Sequence, residues 1–190
     1  MDRSPEMTAF VSASIQALRQ ACTGAGERAA ARVIDRLART GDPGPAPATL
    51  PVCDWVAPAL TQVAPERAAL GAAFAALVPK LHWKRRASAS PADVAFWNGH
   101  ANALLLGPDG IETRDDLMIG ATVMAPNTRY ADHSHPPEEV YLSLTPGLWW
   151  NERMDWTDPG PTGFIYNPPG ITHAMQSGAG PFLALWYLPL

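Results

Sequence analysis

Apolar residues recur at helical spacing in the first third of the chain. Ser4 and Pro5 suit the N-cap and the first position of a helix, and apolar residues follow at about every third or fourth position. A second pattern of this kind ends at Gly41, and a third begins at Pro65. Residues 41–47 are rich in proline and glycine, which predicts an extended connection between the second and third helices.

From about residue 93 the pattern changes to short apolar runs that are separated by glycine and proline. The runs that predict strands are 101–106, 117–125, 139–145, 148–150, 163–166, 171–176 and 181–190. Strands at this spacing, with turn residues between them, are typical of an antiparallel sandwich or barrel. We therefore expect a mainly β protein in which an N-terminal helical extension, residues 1–92, packs on an antiparallel β-barrel, residues 93–190.

Composition and charge favour a globular protein without a nucleic-acid or membrane partner. The 190 residues are 47% hydrophobic and 17% charged, with a net charge of −4, which is enough apolar material for a packed core. We interpret the one short basic run, residues 84–86, as a solvated loop. No apolar run approaches the ~20 residues of a membrane span, and no apolar signal segment is visible, so we expect a cytoplasmic protein.

One stretch, residues 132–141, concentrates the candidate chemistry. His133 and His135 are two positions apart, so both imidazoles lie on the same face of an extended segment. Two prolines follow and favour an extended backbone. The same alternation then places Glu139, rather than the glutamate before it, and Tyr141 on the face that carries the imidazoles.

Three histidines and one glutamate form the candidate ligand set of a metal site. They are His133, His135, Glu139 and His173. Imidazole and carboxylate ligands without thiolate suit Fe, Zn, Mn, Ni or Co, and the ligand types do not choose among these metals. The remaining histidines, His82 and His100, have no comparable neighbours in the sequence, and we expect them to be structural.

These residues lie in segments that resemble known motifs. Residues 133–139 look like the first cupin motif, and residues 168–173 look like the second. More closely, residues 130–142 and 166–175 resemble the cupin-type dimethylsulfoniopropionate (DMSP) lyases of marine bacteria, the DddQ group. The resemblance implies a single cupin-type barrel, also called a double-stranded β-helix, with one bound metal.

The resemblance also implies an activity, the cleavage of DMSP into dimethyl sulfide and acrylate. The implied metal ligands are His135, Glu139 and His173, with His133 or Tyr141 completing the set. Tyr130 and Tyr141 match the positions that are implicated in substrate binding and proton abstraction in this group. The expected substrate is a small zwitterionic sulfonium, and the expected protein is a monomer or a homodimer.

The chemistry of this elimination suggests a role for each aromatic candidate. The proton to be removed lies next to the substrate carboxylate, and a cation bound there would assist its removal. A tyrosine titrates near ~10, so it is a base only where a cation lowers its pKa. Tyr141, two residues from Glu139, is our candidate base, and Tyr130 would position the substrate. Trp149 and Trp186 are candidates for cation–π contact with the sulfonium.

Two other classes of function stay open at this point. One metal set supports many reactions, so the chain could be another cupin enzyme, such as an Fe(II) dioxygenase or an isomerase. It could also be a metal-binding sensor domain without catalytic activity. Release of dimethyl sulfide in the absence of oxygen would separate a lyase from a dioxygenase.

Overall fold

Two β-sheets and a layer of helices form the structure, a computed structural model that describes residues 3–190. The helices are α1 (Pro5–Ala21), α2 (Gly24–Arg36), α3 (Val56–Leu60), α4 (Ala68–Ala75) and α5 (Val94–Gly99), with 3₁₀ turns at Pro51–Trp55, Pro65–Arg67, Val78–Lys80 and Gly160–Thr162. The strands are β1 (Asp42–Pro43), β2 (His100–Leu106), β3 (Glu112–Thr113), β4 (Leu117–Met124), β5 (Arg129–His133), β6 (Glu139–Ser143), β7 (Leu148–Asn151), β8 (Met154–Thr157), β9 (Phe164–Asn167), β10 (His173–Gln176) and β11 (Phe182–Pro189). None of the helices within the described range is long and apolar enough to cross a membrane.

Within the described residues, the larger sheet has seven strands and the smaller sheet has four. Their orders are β1-β3-β2-β4-β11-β6-β9 and β5-β10-β7-β8. Neighbouring strands in these two sheets pair antiparallel, except β2 and β3, which pair in parallel. This arrangement fits the jelly-roll sheets that the cupin resemblance implies. The predictions of a mainly β fold and of an N-terminal helical segment are confirmed.

The larger sheet has helices on one face and the smaller sheet on the other. Val140 and Leu142 of β6 lie in one apolar cluster with Phe10 of α1 and Val33 of α2. Tyr141, between them in sequence, belongs to a second cluster that contains residues of both sheets. Because successive strand residues point to opposite faces, a single strand contributes both to the helical core and to the space between the sheets.

The first and third predicted helices are present. The Ser4 hydroxyl oxygen accepts the Met7 backbone N–H at 3.3 Å, and Pro5 occupies the first helical position, as predicted. The third helix begins with the 3₁₀ turn Pro65–Arg67 and continues as α4. The division of the chain into an extension and a barrel at residue 92 stays a prediction.

The predicted end of the second helix is wrong. α2 ends at Arg36 rather than at Gly41. The Arg114 guanidinium donates to the carbonyl oxygens of Arg36 and Arg39, at 2.6 and 2.7 Å, and so satisfies acceptors at the end of the helix from outside it. Gly41 is needed for another reason, because a Cβ atom there would lie 2.5 Å from the carbonyl oxygen of Thr113 in β3.

Residues 133–141 do not form one extended segment, contrary to the prediction. β5 ends at His133, Pro136 and Pro137 form a bend, and β6 begins at Glu139. The two strands belong to different sheets, so the bend carries the chain from the smaller sheet to the larger one. The sequence pattern also missed β5 and β8, because these short strands are mostly exposed and lack an apolar run.

A buried hydrogen bond that joins α1 to β11 provides a test of this packing. Ser14 Oγ and the Tyr187 hydroxyl are 3.2 Å apart, and both side chains are fully buried. Tyr187→Phe and Ser14→Ala should each lower the free energy of unfolding by about 1–2 kcal/mol, because each leaves the other hydroxyl unpaired. The double variant should lose less than the sum, as measured by chemical denaturation; strictly additive losses would contradict a direct bond.

Candidate functional site

Three histidines and one glutamate meet between the two sheets. His133 of β5 and His173 of β10 are cross-strand partners in the smaller sheet, with ring centroids 4.0 Å apart. His135 lies on the connection after β5, and its ring centroid is 5.0 Å from that of His173. Glu139 comes from β6 of the larger sheet. The bend between β5 and β6 therefore brings together residues of both sheets.

His135, Glu139 and His173 form a group that could hold a metal ion. One potential ligand atom of each residue lies within 4.8 Å of the others. Glu139 Oε2 is 3.3 Å from His135 Nε2 and 3.2 Å from His173 Nε2. Glu139 and His173 are buried, and His173 Nε2 has no hydrogen-bond partner among residues 3–190. A buried polar atom normally has a hydrogen-bond partner or contacts a bound ion.

The contact between Nδ1 and a backbone carbonyl oxygen determines the tautomer of each imidazole. The pairs of Nδ1 and backbone carbonyl oxygen are His133–Ala131 at 2.8 Å, His135–Pro137 at 2.9 Å and His173–Ile171 at 3.0 Å. A carbonyl oxygen only accepts, so in the neutral ring Nδ1 carries the hydrogen and Nε2 keeps a lone pair. The lone pairs of His135 and His173 then face the carboxylate of Glu139, which also only accepts. A cation between these acceptors removes the conflict, so the residues fit a divalent metal.

The charges around the site favour an ionised Glu139. Burial by itself would raise the pKa of this carboxyl, but the His135 and His173 imidazoles beside it hold the pKa well below its usual range. Burial lowers the pKa of His133 to about 3, and the nearby charges of His173 and Arg86 act in the same direction. Burial would also lower the pKa of His135, but Glu139 outweighs it and raises that pKa. A proton on His135 is thus the alternative to a metal as counter-charge for Glu139.

Two buried asparagines orient the carboxylate of Glu139. Asn167 Nδ2, on the neighbouring strand β9, donates to Glu139 Oε2 at 3.2 Å. Asn151 Nδ2, on β7, donates to Asn167 Oδ1 at 3.0 Å, and the Arg153 backbone N–H donates to Asn151 Oδ1 at 2.9 Å. These bonds cross from the smaller sheet to the larger one. Neither asparagine was predicted from the sequence to belong to the site.

The neighbouring glutamate, Glu138, lies on the outer face of the larger sheet, which the helices cover. Its carboxylate forms an ion pair with Arg32 of α2 and accepts a hydrogen bond from the Tyr166 hydroxyl at 2.9 Å. Glu139 is 3% exposed and points to the space between the sheets. The two adjacent carboxylates therefore act on opposite faces.

A cavity of about 390 Å³ opens beside the candidate ligands. The sequence-predicted residues in its wall are His133, His135, Glu139, Tyr130, Tyr141 and Trp186. Burial raises the pKa of both tyrosines, and the Glu139 carboxylate raises the pKa of Tyr141 further. The volume is near the lower end of the range for small-molecule sites, so the cavity suits a small ligand.

The two candidate tryptophans occupy different positions. Trp186 lies in the cavity wall beside Tyr141, its cross-strand partner in β6. Its ring lies across Gly120, where an added Cβ atom would be 2.2 Å from the ring. Trp149 is 1% exposed and lies outside the cavity wall, with ring centroids 6.2 Å from Tyr141 and 4.9 Å from Phe182. In this arrangement Trp149 packs behind Tyr141.

The basic run 84–86 borders the cavity, so its interpretation as a solvated loop is wrong for part of the run. Lys84 is exposed, but Arg86 is half-buried and lies in the cavity wall, with its guanidinium carbon 5.9 Å from the centroid of the Tyr130 ring. His100 Nε2 accepts the Arg86 backbone N–H at 3.0 Å. His100 is buried, and it anchors this loop at the cavity.

Asn102 of β2 and Thr122 of β4 also line the cavity. Neither residue was predicted from the sequence, although each is the single polar side chain in its apolar run, 101–106 or 117–125. That isolation is the signal by which they could have been found, because a polar group in a buried strand needs a hydrogen-bond partner.

Comparison of the sequence with known families identifies a match over most of the chain. The family model for dimethylsulfoniopropionate lyases matches residues 25–184. A curated relative from Cereibacter sphaeroides, provisionally named dimethylsulfoniopropionate lyase DddL, is 32% identical over 107 residues. That alignment covers 56% of this chain and 44% of the relative, so the chain spans less than half the length of this relative.

Two solved structures share the fold over nearly the whole chain. One, from the crystal structures of the DMSP lyases RdDddP and RnDddQII, has a TM-score of 0.76 and 22% identity, and the match covers 97% of this chain and 92% of that one. The other, the DMSP lyase DddQ from Ruegeria pomeroyi, has a TM-score of 0.71 and 23% identity, with 96% and 92% covered. At these identities the likeness establishes the fold.

The two adjacent glutamates allow a matched test of the metal site. Glu139→Gln should abolish stoichiometric binding of a divalent transition metal, because it removes the anionic member of the ligand set. Glu138→Gln changes the same functional group one position away, on the outer surface, and should leave the metal content unchanged. Metal per chain, measured by plasma mass spectrometry after reconstitution and desalting, gives the result. Equal metal content in both variants would contradict this site.

Proposed function

The chain belongs to the dimethylsulfoniopropionate lyase family, and on this basis we propose that it cleaves DMSP into dimethyl sulfide and acrylate by β-elimination. The proposal is supported by one observation above all, a single cavity that combines candidate metal ligands with two buried tyrosines and a tryptophan. In the reaction a base removes the proton next to the carboxylate. The electron pair of that C–H bond forms the double bond of acrylate, and the C–S bond breaks to release neutral dimethyl sulfide.

The two ends of the substrate carry opposite charges, and the cavity offers a different surface to each. The Arg86 guanidinium lies beside Tyr130, and this side would attract the carboxylate and repel the sulfonium. The indole of Trp186 can contact the sulfonium by a cation–π interaction, which contributes ~0.5–2 kcal/mol. We therefore assign Tyr130 to the carboxylate end and Trp186 to the sulfonium end.

We assign the binding of one divalent transition metal to the group between the sheets. The proposed ligands are His135, Glu139 and His173, with His133 and Tyr141 as further candidates. When bound, the metal would supply positive charge beside the substrate carboxylate and favour loss of the neighbouring proton. Asn167 would keep the Glu139 carboxylate in a fixed orientation toward it. Fe, Zn, Mn, Ni and Co are all compatible with these donors.

Tyr141 is the proposed general base. It lies next to Glu139 on the cavity side of β6, and Trp149 packs behind its ring. Burial and the Glu139 carboxylate raise the pKa of its hydroxyl, so Tyr141 ionises only when the charge of Glu139 is compensated. Once ionised, a phenolate that is shielded from water accepts the substrate proton readily.

Metal-reconstituted protein should release dimethyl sulfide and acrylate from DMSP in equal amounts. The release should not require oxygen, because an elimination needs no oxidant. Headspace gas chromatography under anaerobic conditions, with acrylate measured by liquid chromatography, tests this expectation. His173→Ala should abolish release, because it removes a member of the candidate ligand group. His82→Ala should retain release, because His82 is outside that group, although its Nδ1 also meets a backbone carbonyl oxygen, at 2.8 Å. Oxygen-dependent release, or none with any of the five metals, would contradict the proposed activity.

The role of Tyr141 can be tested against a tyrosine on the other face of the same sheet. Tyr141→Phe should lower kcat by about 10²–10⁴-fold, the usual contribution of a general base, while metal content stays unchanged. Tyr166→Phe removes a hydroxyl that contacts Glu138 on the outer surface and should retain activity. Near-wild-type turnover by metal-loaded Tyr141→Phe would show that another group is the base.

A further inference from the structure

Three consecutive hydrogen bonds connect Trp186 to Tyr130. Trp186 Nε1 donates to Thr122 Oγ1 at 3.1 Å, and Thr122 Oγ1 donates to Asn102 Oδ1 at 2.7 Å. Asn102 Nδ2 then donates to the Tyr130 hydroxyl oxygen at 2.7 Å. The four side chains come from β11, β4, β2 and β5, so the chain of bonds begins in the larger sheet and ends in the smaller one.

The donor Trp186 and the buried Thr122 hydroxyl together determine the direction of these bonds. An indole N–H can only donate, so the Thr122 oxygen accepts it. Asn102 Oδ1 is the acceptor that the buried Thr122 hydroxyl meets within residues 3–190, and a turned Asn102 amide would leave the Thr122 hydrogen unpaired. That bond fixes which side of the Asn102 amide faces Thr122, and the NH₂ group must then face Tyr130. The Tyr130 oxygen therefore accepts, and its own hydrogen is not used within the chain of bonds.

The hydrogen of the Tyr130 hydroxyl is available to a ligand. Asn102 Nδ2 donates to this hydroxyl and so occupies an acceptor site of the oxygen. The Arg86 guanidinium, which also lies beside Tyr130, can likewise only donate. The His133 ring has its centroid 5.0 Å from that of Tyr130 but forms no hydrogen bond with the hydroxyl. Because Tyr130 lies in the cavity wall, its free hydrogen can meet an acceptor in the cavity.

We propose that Asn102 is a positioning residue that, held by Thr122 and Trp186, makes Tyr130 a hydrogen-bond donor to the anionic end of the substrate. The proposal rests on the function proposed above and names one recognition element of that site. The hydrogen bond from Nε1 uses the edge of the Trp186 indole, so the ring face that points away from Gly120 remains available to the sulfonium. One chain of hydrogen bonds would thus orient the two aromatic side chains that recognise the two ends of a zwitterion.

Steady-state kinetics with DMSP tests the proposal. Asn102→Leu has a similar size and no charge, and it should raise KM about three- to tenfold, with a smaller change in kcat and unchanged metal content, because the Tyr130 hydroxyl is no longer held as a donor. In a Tyr130→Phe background the same substitution should have no further effect on KM, since no hydroxyl remains to be positioned. An undiminished effect in that background would overturn the proposal.

A pair of Thr122 variants tests the same proposal if the Asn102 variant fails to fold. Thr122→Val removes the hydroxyl with little change of volume and should raise KM in the same direction. Thr122→Ser keeps the hydroxyl and should restore the wild-type KM. Equal KM values for the valine and serine variants would show that the hydroxyl has no positioning role, which would also overturn the proposal.

Binding of acrylate separates this proposal from the proposed activity. Isothermal titration calorimetry with acrylate, on metal-loaded protein, measures carboxylate recognition without turnover. If the wild type binds acrylate and Asn102→Leu weakens binding only when Tyr130 is present, the positioning role stands even if DMSP is not cleaved. A wild type that neither binds acrylate nor cleaves DMSP contradicts both proposals.

Discussion

The buried carboxylate of Glu139 is the constraint on which the site depends. An isolated charge in the space between two sheets would cost several kcal/mol, so the groups around it must compensate it. His135, His173 and Asn167 lie within hydrogen-bonding distance of the same oxygen atom, and none of them brings a permanent positive charge. The carboxylate therefore requires a cation, and the tautomers that the backbone carbonyls impose on the imidazoles leave room for a metal in that role.

Side chains alternate along each strand of the larger sheet, so that one set packs with the helices and the other set lines the site. In β6, Val140 and Leu142 pack with the N-terminal helices, whereas Glu139 and Tyr141 face the cavity. Trp186 follows the same rule in β11, between neighbours that pack on the helical side. The helices thus hold the strands in place, and the strands position the side chains of the site. Side chains that are held on paired strands keep their relative positions better than side chains on loops.

The sequence predicted what depends on short-range pattern. Ser4 and Pro5 start α1 as expected, and the apolar runs correspond to strands of the structure. The end of α2 could not be predicted, because the arginine that satisfies its last carbonyls lies far along the chain. The same holds for the site: the ligand candidates lie in compact motifs, but the contacts of Asn102 and Asn167 follow from strand pairing that no local pattern specifies.

The bend at Pro136 and Pro137 has a consequence for the dynamics of the protein. It divides the ligand candidates between the sheets, with His173 on the smaller and Glu139 on the larger. A metal held by both would link the two sheets directly, in addition to the bend in the backbone. The bound ion would then oppose separation of the sheets and would slow the breathing motion that admits water to the core.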